Sequence, residues 1–326
     1  MRRWKRFFSN KKNKLLAFFL LSLYIICWFA PIFAPYPFDR EDRNRPYHPP
    51  QKLHLFLNGK FIGPFAYKTK KTITKTGPIY VETKEITKLF SKSGDMVYLL
   101  GSDYKGRDVF SRILYGGAIS LSISLIGALI SFLLGSTIGA FSGYIGGFID
   151  NVIMRLCELI MLIPGFYLML SIRAAFPLKA DSRQILFMIV AIMSMIGWAG
   201  MARVIRAQAL SIKNKAFVLS AKAIGMQQHK IILKHVIPHT FSYSIVALAI
   251  SIPSYILGES ALSLIGLGVQ EPYASWGNML SEAMNISGTA QHPWLLFPGV
   301  MIFLTVMLYN MLGEGLKYAL DIQETI

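Results

Sequence analysis

The apolar residues of this chain fall in long, nearly unbroken blocks rather than at the three- and four-residue spacing of an amphipathic helix. Six blocks stand out, near Leu15–Ala34, Ala118–Phe141, Ile149–Ser171, Ile185–Ala202, Phe241–Gly258 and Trp294–Leu316. Crossing roughly 30 Å of hydrocarbon takes about 20 residues of helix, which satisfies its backbone hydrogen bonds internally. The pattern therefore predicts an all-α polytopic membrane protein with six transmembrane helices. The first block follows the basic stretch "RRWKRFFSNKKNK", as in a secretory signal, but it is too long for such a signal's apolar core. Ile32 is also a poor residue for a cleavage site, so a retained span is expected.

Residues 39–98 break the pattern. They are polar, with a proline-rich edge ("RPYHPP") and short alternating runs. In "LHLFLNGKFI" the pair Asn58-Gly59 separates two apolar runs, the signal of a tight hairpin, and "IYVETKEIT" reads as a further strand. The chain thus divides into 1–38, a basic N-terminus and first span; 39–98, a small β-containing insert; and 99–326, a core with five spans.

Charge then orients the spans. From Arg203 to Pro238 there are seven cations and no acid, whereas Glu259 to His292 holds three Glu and no Lys or Arg. By the positive-inside rule the loop 203–238 is cytoplasmic and 259–292 external. Counting back puts the N-terminal cations inside as well, so both termini are cytoplasmic and the insert is external. Its lysines do not oppose this, because long loops cross largely regardless of charge.

Hydrophobic residues make up 53% of the chain and the formal net charge is +17; the mean hydropathy is +0.45. The cations cluster at block ends, so they belong to membrane topology, with the lipid bilayer as surroundings and no nucleic acid as partner. Cys27 and Cys157 both lie inside apolar blocks and offer neither a disulfide framework nor a metal spacing. There is no nucleotide-binding G-x-x-x-x-G-K-[ST] and no H-E-x-x-H. No catalytic residue, cofactor or metal is expected. Arg155 and Glu158, one turn apart in the third block, can pair, either as a structural pair or in gating. Gly135, Gly139 and Gly143 form a ladder that lets another helix approach closely. One isolated ion pair is a poor basis for ion-coupled transport. Any energy is expected from a partner, with a self-contained ion-coupled carrier as the rival reading and a membrane-anchored enzyme a distant third.

The stretch "LSAKAIGMQQHKIILKHVIPH", Leu219 to His239, carries six Lys and His and no acid. Phe217–Ile224 and Gln227–Val236 are predicted to be short helices meeting at Gly225, the second stopped by Pro238. This knuckle resembles the E-A-A-x-x-x-G…I-x-x-x-H-x-x-P coupling loop of ATP-binding-cassette importer permeases, matched by Ala221, Gly225, Ile231, His235 and Pro238. Ser220 stands where that motif has its first Ala, and Leu219 where it has Glu. The blocks "LLGSDYKGRDVFSRILYGGAISL", "ARVIRAQALSIKNKAFV", "GESALSLIGLGVQEPYASWGNML" and "FPGVMIFLTVMLYNMLGEGLKYALD" are similar to the dipeptide/oligopeptide/nickel branch of that family. In "YGGA", Ala118 replaces the branch's usual Arg. The insert resembles the microcin C and long-oligopeptide subgroup. The resemblance implies a multi-pass permease of the bacterial inner membrane, importing peptides, or alternatively a nickel complex or peptide-like antibiotic. Its implied partners are a second homologous permease, two ATP-binding-cassette ATPase subunits and an extracytoplasmic binding protein.

Overall fold

The computed structural model describes residues 7–57, 59–74, 77–89, 95–175, 182–284 and 291–320. In chain order the elements are α1 (Lys11–Trp28), α2 (Ala30–Phe33), β1 (His54–Leu57), β2 (Lys60–Thr74), β3 (Gly77–Lys88), α3 (Val109–Ile145), α4 (Gly147–Leu162), α5 (Gly165–Ala174) and α6 (Ser182–Lys213). Then follow α7 (Ala216–Ala223), α8 (Gln228–Ile231), a π-helical turn (Ile232–Val236), α9 (Ile237–Leu264), α10 (Trp276–Met284), a 3-10 turn (Pro293–Leu296) and α11 (Phe297–Ala319). They form two compact units. One comprises Met1–Leu21, Leu121–Leu262 and Phe303–Ile326, the other Ser22–Ser120 and Ser263–Ile302.

Among the described residues four helical stretches are long and apolar enough to cross a membrane: Val109–Ile145, Gln184–Lys213, Gln228–Leu264 and Pro293–Ala319. A fifth stretch is long and apolar enough only when two bent helices are taken together. The expected third span, Ile149–Ser171, is instead α4 and α5, which meet at 88°. Pro164 explains the corner, because its ring pushes Ile163 out of helical geometry, to φ −81° and ψ 126°. The expected first span is α1, of 18 residues, whose three lysines Lys11, Lys12 and Lys14 leave it short of an uninterrupted apolar length. It ends where Pro31 starts α2.

Three boundaries differ from the sequence reading. Arg203 to Lys213 belong to α6, so the loop begins only after Lys213, later than charge alone suggested. Pro238 does not stop a helix: Gln228–Leu264 runs on through it. The π turn Ile232–Val236 lies immediately before that proline, and its wider hydrogen-bonding absorbs the donor that Pro238 lacks. The acidic loop is likewise shorter than 259–292, since Glu259 lies in α9 and Trp276–Met284 are helical.

Within the first unit, the glycine ladder of α3 seats α6. A Cβ on Gly135 would lie 2.7 Å from the Trp198 carbonyl, and one on Gly143 would lie 2.6 Å from the Arg206 carbonyl; Gly139 faces Ala202 as closely. Backbone thus meets backbone, the close approach that small residues permit in membranes. Cys157 of α4 is buried with Ala199 and Ala202 of α6.

In the second unit β1, β2 and β3 form an antiparallel sheet in that order. Leu57 pairs with Lys60 across a two-residue turn in which Gly59 has φ 79°, while Asn58, the other expected turn residue, lies outside the described residues. His48 fastens the sheet to the chain before it. Its Nδ1 donates to the Pro49 carbonyl at 2.6 Å and its Nε2 accepts from Thr69 Oγ1 at 2.7 Å. Burial lowers its pKa to about 4, so the ring is neutral near pH 7.

Candidate functional site

The knuckle forms as two short helices joined at a glycine. Gly225 has φ 78°. Its N–H donates to the Lys222 carbonyl at 3.0 Å, and the Met226 N–H donates to the Ala221 carbonyl at 3.1 Å. This pair of bonds is a Schellman cap, which satisfies the last carbonyls of α7 and needs a left-handed residue at its turn. Met226 packs against the buried cluster to which Ala221 belongs, as the hydrophobic contact of this cap requires. The Ser220 carbonyl accepts from the Ile224 N–H at 3.1 Å, so Ser220 holds the same turn through its backbone.

One side of the knuckle is packed and the other is open. Val218, Ala221, Ile231, Ile232 and Val236 are buried against Ala140 and Tyr144 of α3 and Ile205, Ala209 and Ile212 of α6. On the open side Ile224 is 78% exposed, with Leu219 and Leu233 about half exposed. Lys222, Lys230 and Lys234 are exposed as well. Exposed apolar side chains framed by cations, on a helix pair fixed from behind, make a surface suited to another protein.

His235 and Pro238 reach this site indirectly. The His235 ring lies 6.2 Å from that of Phe217, and its backbone carbonyl accepts from His239 Nδ1 at 2.6 Å. His239 in turn stacks on Phe217 at 4.3 Å. These two histidines pin α7 to the start of α9 through an aromatic contact. Ile231 is fully buried and anchors the second helix.

The expected pair of Arg155 and Glu158 forms, with Nη1 2.7 Å from Oε2, but Arg155 is 81% exposed and the pair faces outward on α4. Sequence reasoning missed a more enclosed one. Arg206 of α6 grips Asp150 of α4 in bidentate fashion, Nε to Oδ1 at 2.9 Å and Nη2 to Oδ2 at 2.6 Å, while Ser142 of α3 donates to Oδ1 at 2.5 Å. An acid at the start of an apolar block was the available signal.

A second missed cluster lies in the other unit. Asp103 Oδ1 accepts the N–H groups of Lys105 and Arg107, each at 2.9 Å, and Oδ2 takes Arg107 Nε at 2.6 Å. Arg107 Nη2 reaches Glu271 at 2.7 Å and Glu282 at 3.3 Å, and buried Arg112 also reaches Glu282 at 3.3 Å. Lys105 pairs with Glu271. Desolvation pushes the Glu282 pKa up to about 7. Glu271 is held down to about 2: its own burial opposes the shift, but bonds from Lys105, Arg107 and the Glu282 carboxyl outweigh it. Asp108 next to this cluster caps α3, its Oδ2 accepting from the Ser111 N–H at 2.8 Å and hydroxyl at 2.6 Å.

Comparison with known proteins agrees with this architecture. Residues 2–50 match the N-terminal TM domain of oligopeptide transport permease C. The dipeptide transport system permease protein DppC of Bacillus subtilis is 33% identical over 321 residues, 98% of this chain and 84% of the relative. The oligopeptide transport system permease protein OppC of Salmonella typhimurium is 41% identical over 236 residues, 72% of this chain and 76% of the relative. The glutathione transport system permease protein GsiD of Shigella flexneri is 40% identical over 221 residues, 68% of this chain and 71% of the relative. With residues 135–322 matching the family model itself, and with apolar helices that carry a capped knuckle, the chain belongs to the inner membrane components of binding-protein-dependent transport systems.

Proposed function

We propose that this chain is one of two different permease subunits of an ATP-driven importer, and that the two together form the path for peptides handed over by an extracytoplasmic binding protein. Hydrolysis belongs to two separate ATPase subunits, and this chain takes part through the knuckle. The observation that carries the reading is the capped helix pair at Gly225, rigid behind and apolar-basic in front, in a chain of this family. Peptide as the substrate class is supported by the names of the relatives, which are dipeptide, oligopeptide and glutathione permeases.

In this reading the chain crosses the bacterial inner membrane six times. α1 with α2 is the first span and the bent pair α4 and α5 the third; both termini are cytoplasmic and the sheet lies outside. Ala221 and Ile231 anchor the knuckle, Gly225 and Ser220 set its turn, and His235 and Pro238 set its exit into α9. Arg155 and Glu158, exposed on α4, serve as a structural pair. Leu219 replaces a family carboxylate on the docking face, and an apolar contact takes its place.

The test is Gly225→Val. No atom lies within 4 Å of the added Cβ, so any effect comes from the backbone conformation and not from crowding. A left-handed L-residue costs about 1–2 kcal/mol, and a β-branched one more. Purified with its partners, the variant is expected to insert normally but to lose ATPase subunits or to hydrolyse ATP without uptake. Gly225→Asn, which tolerates this conformation, should behave nearly as wild type. Normal subunit retention, hydrolysis and uptake in Gly225→Val would show the loop to be a mere linker.

A further inference from the structure

Directly behind the knuckle, α3, α4 and α6 are tied at one point. The chain reverses from α3 into α4 on Gly146 and Gly147, with φ of 73° and 67°. This turn brings Ser142 and Asp150 together, and Arg206 closes the set from α6. Asp150 is nearly enclosed, its side chain 7% exposed. Around it, Gly143 lies against the backbone of Arg206 and against Ala209, and Lys213 lies 5.7 Å over the Tyr144 ring. Besides Arg206, Lys213 is the cation whose field acts on this carboxylate.

Adjacent positions of α6 carry the knuckle. Ile205, Ala209 and Ile212 form the floor on which Val218, Ala221 and Ile231 of the knuckle rest. One stretch of α6 therefore holds both the knuckle and Asp150. The contact of α4 with α6 further along is apolar, made by Cys157, Ala199 and Ala202, and apolar contacts are non-directional and can slide. A bidentate guanidinium–carboxylate pair fixes both distance and orientation. The pair is half-buried, with Asp150 enclosed and the Arg206 side chain 32% exposed.

We infer that Asp150 and Arg206 are positioning residues that carry displacement of the knuckle through α6 into α4, and so to the corner between α4 and α5, with Ser142 holding Asp150 in register. This rests on the coupling reading above. The structure supplies what such a link needs: a rigid seat for the knuckle, a directional bond, and a broken helix at its far end.

The experiment compares the assembled complex in proteoliposomes for subunit retention, ATP hydrolysis, and peptide imported per ATP. Asp150→Asn and Arg206→Gln are expected to keep the ATPase subunits and hydrolysis while import per ATP falls about five- to thirtyfold. Arg206→Lys, which keeps the charge but loses the fork, should remain impaired. The swap Asp150→Arg with Arg206→Asp should recover part of the loss. The neutral double variant, which leaves no orphan charge if a single variant fails to fold, should be no worse than either single. Wild-type import per ATP in the double variant would overturn the inference, as would losses that only follow loss of subunits. Failure of the coupling reading shows differently: Gly225→Val would then hydrolyse and import as wild type, whatever the Asp150 variants do.

Discussion

Glu282 and Glu271 sit in one cluster with Arg107, Arg112, Lys105 and Asp103, and their titrations are driven apart. Glu282 binds its proton more tightly folded than unfolded, rising from 4.5 to about 7. The folded state therefore holds the extra proton between those values, and stability falls as pH rises through that window, by up to about 1.4 kcal/mol per pH unit. Glu271 runs the other way. Depressed to about 2, it contributes stability above its ordinary value that is lost only as pH falls towards 2. Thermal unfolding from pH 5 to 8 is expected to show declining stability in the wild-type chain. Glu282→Gln should flatten that slope and raise the melting temperature at pH 8, and an unchanged slope in the variant would assign the titration elsewhere. Neither this cluster nor the Asp150–Arg206 pair was legible in the sequence, because Arg206 lies 56 positions from Asp150, Glu271 lies 166 from Lys105, and Glu282 lies 170 from Arg112 and 175 from Arg107. Pairing at one helical turn, as in Arg155 and Glu158, was legible, and it turned out to be the exposed pair.

Helix packing follows the same division between local and tertiary causes. The glycine ladder announced close approach in the sequence, and α6 is the helix that uses it. Gly143→Ala would force a methyl group against the Arg206 carbonyl and is expected to destabilise by about 1–3 kcal/mol. Gly200→Ala, with open space around it, should be neutral or stabilising by up to about 1 kcal/mol. Equal melting temperatures for the two variants in detergent would contradict the packing. Prolines show why boundaries were harder to read than blocks. Pro31 ends a helix, Pro164 stands at the 88° corner between α4 and α5, Pro238 is absorbed by a π turn, and Pro253 lies inside α9 without a break in the helix. The ring is the same each time. What differs is whether neighbouring backbone can take up the lost bond, and that is set by tertiary contacts the sequence does not display. Gly225 was readable because its requirement is local: a positive φ between two short helices.

At the scale of the whole molecule, the apolar blocks and the loop charges were sufficient to propose a multi-pass membrane protein and its orientation; the permease reading and its ATPase partners came from the resemblance of the coupling loop and four further blocks to a known family. Orientation is open to direct test, because Cys27 and Cys157 are buried and single reporter thiols can be added. Lys52→Cys on the insert should react with a membrane-impermeant maleimide in intact cells, and Lys222→Cys on the knuckle only after permeabilisation. Labelling of both from the same side would sink the six-span arrangement. The energy source is the central claim. It is tested most directly by measuring peptide uptake into proteoliposomes that hold the complete complex, with ionophores collapsing every ion gradient. The account predicts uptake that continues while ATP is supplied and stops when the ATPase subunits are omitted. Uptake by this chain alone, driven by a proton or sodium gradient without ATP, would contradict it.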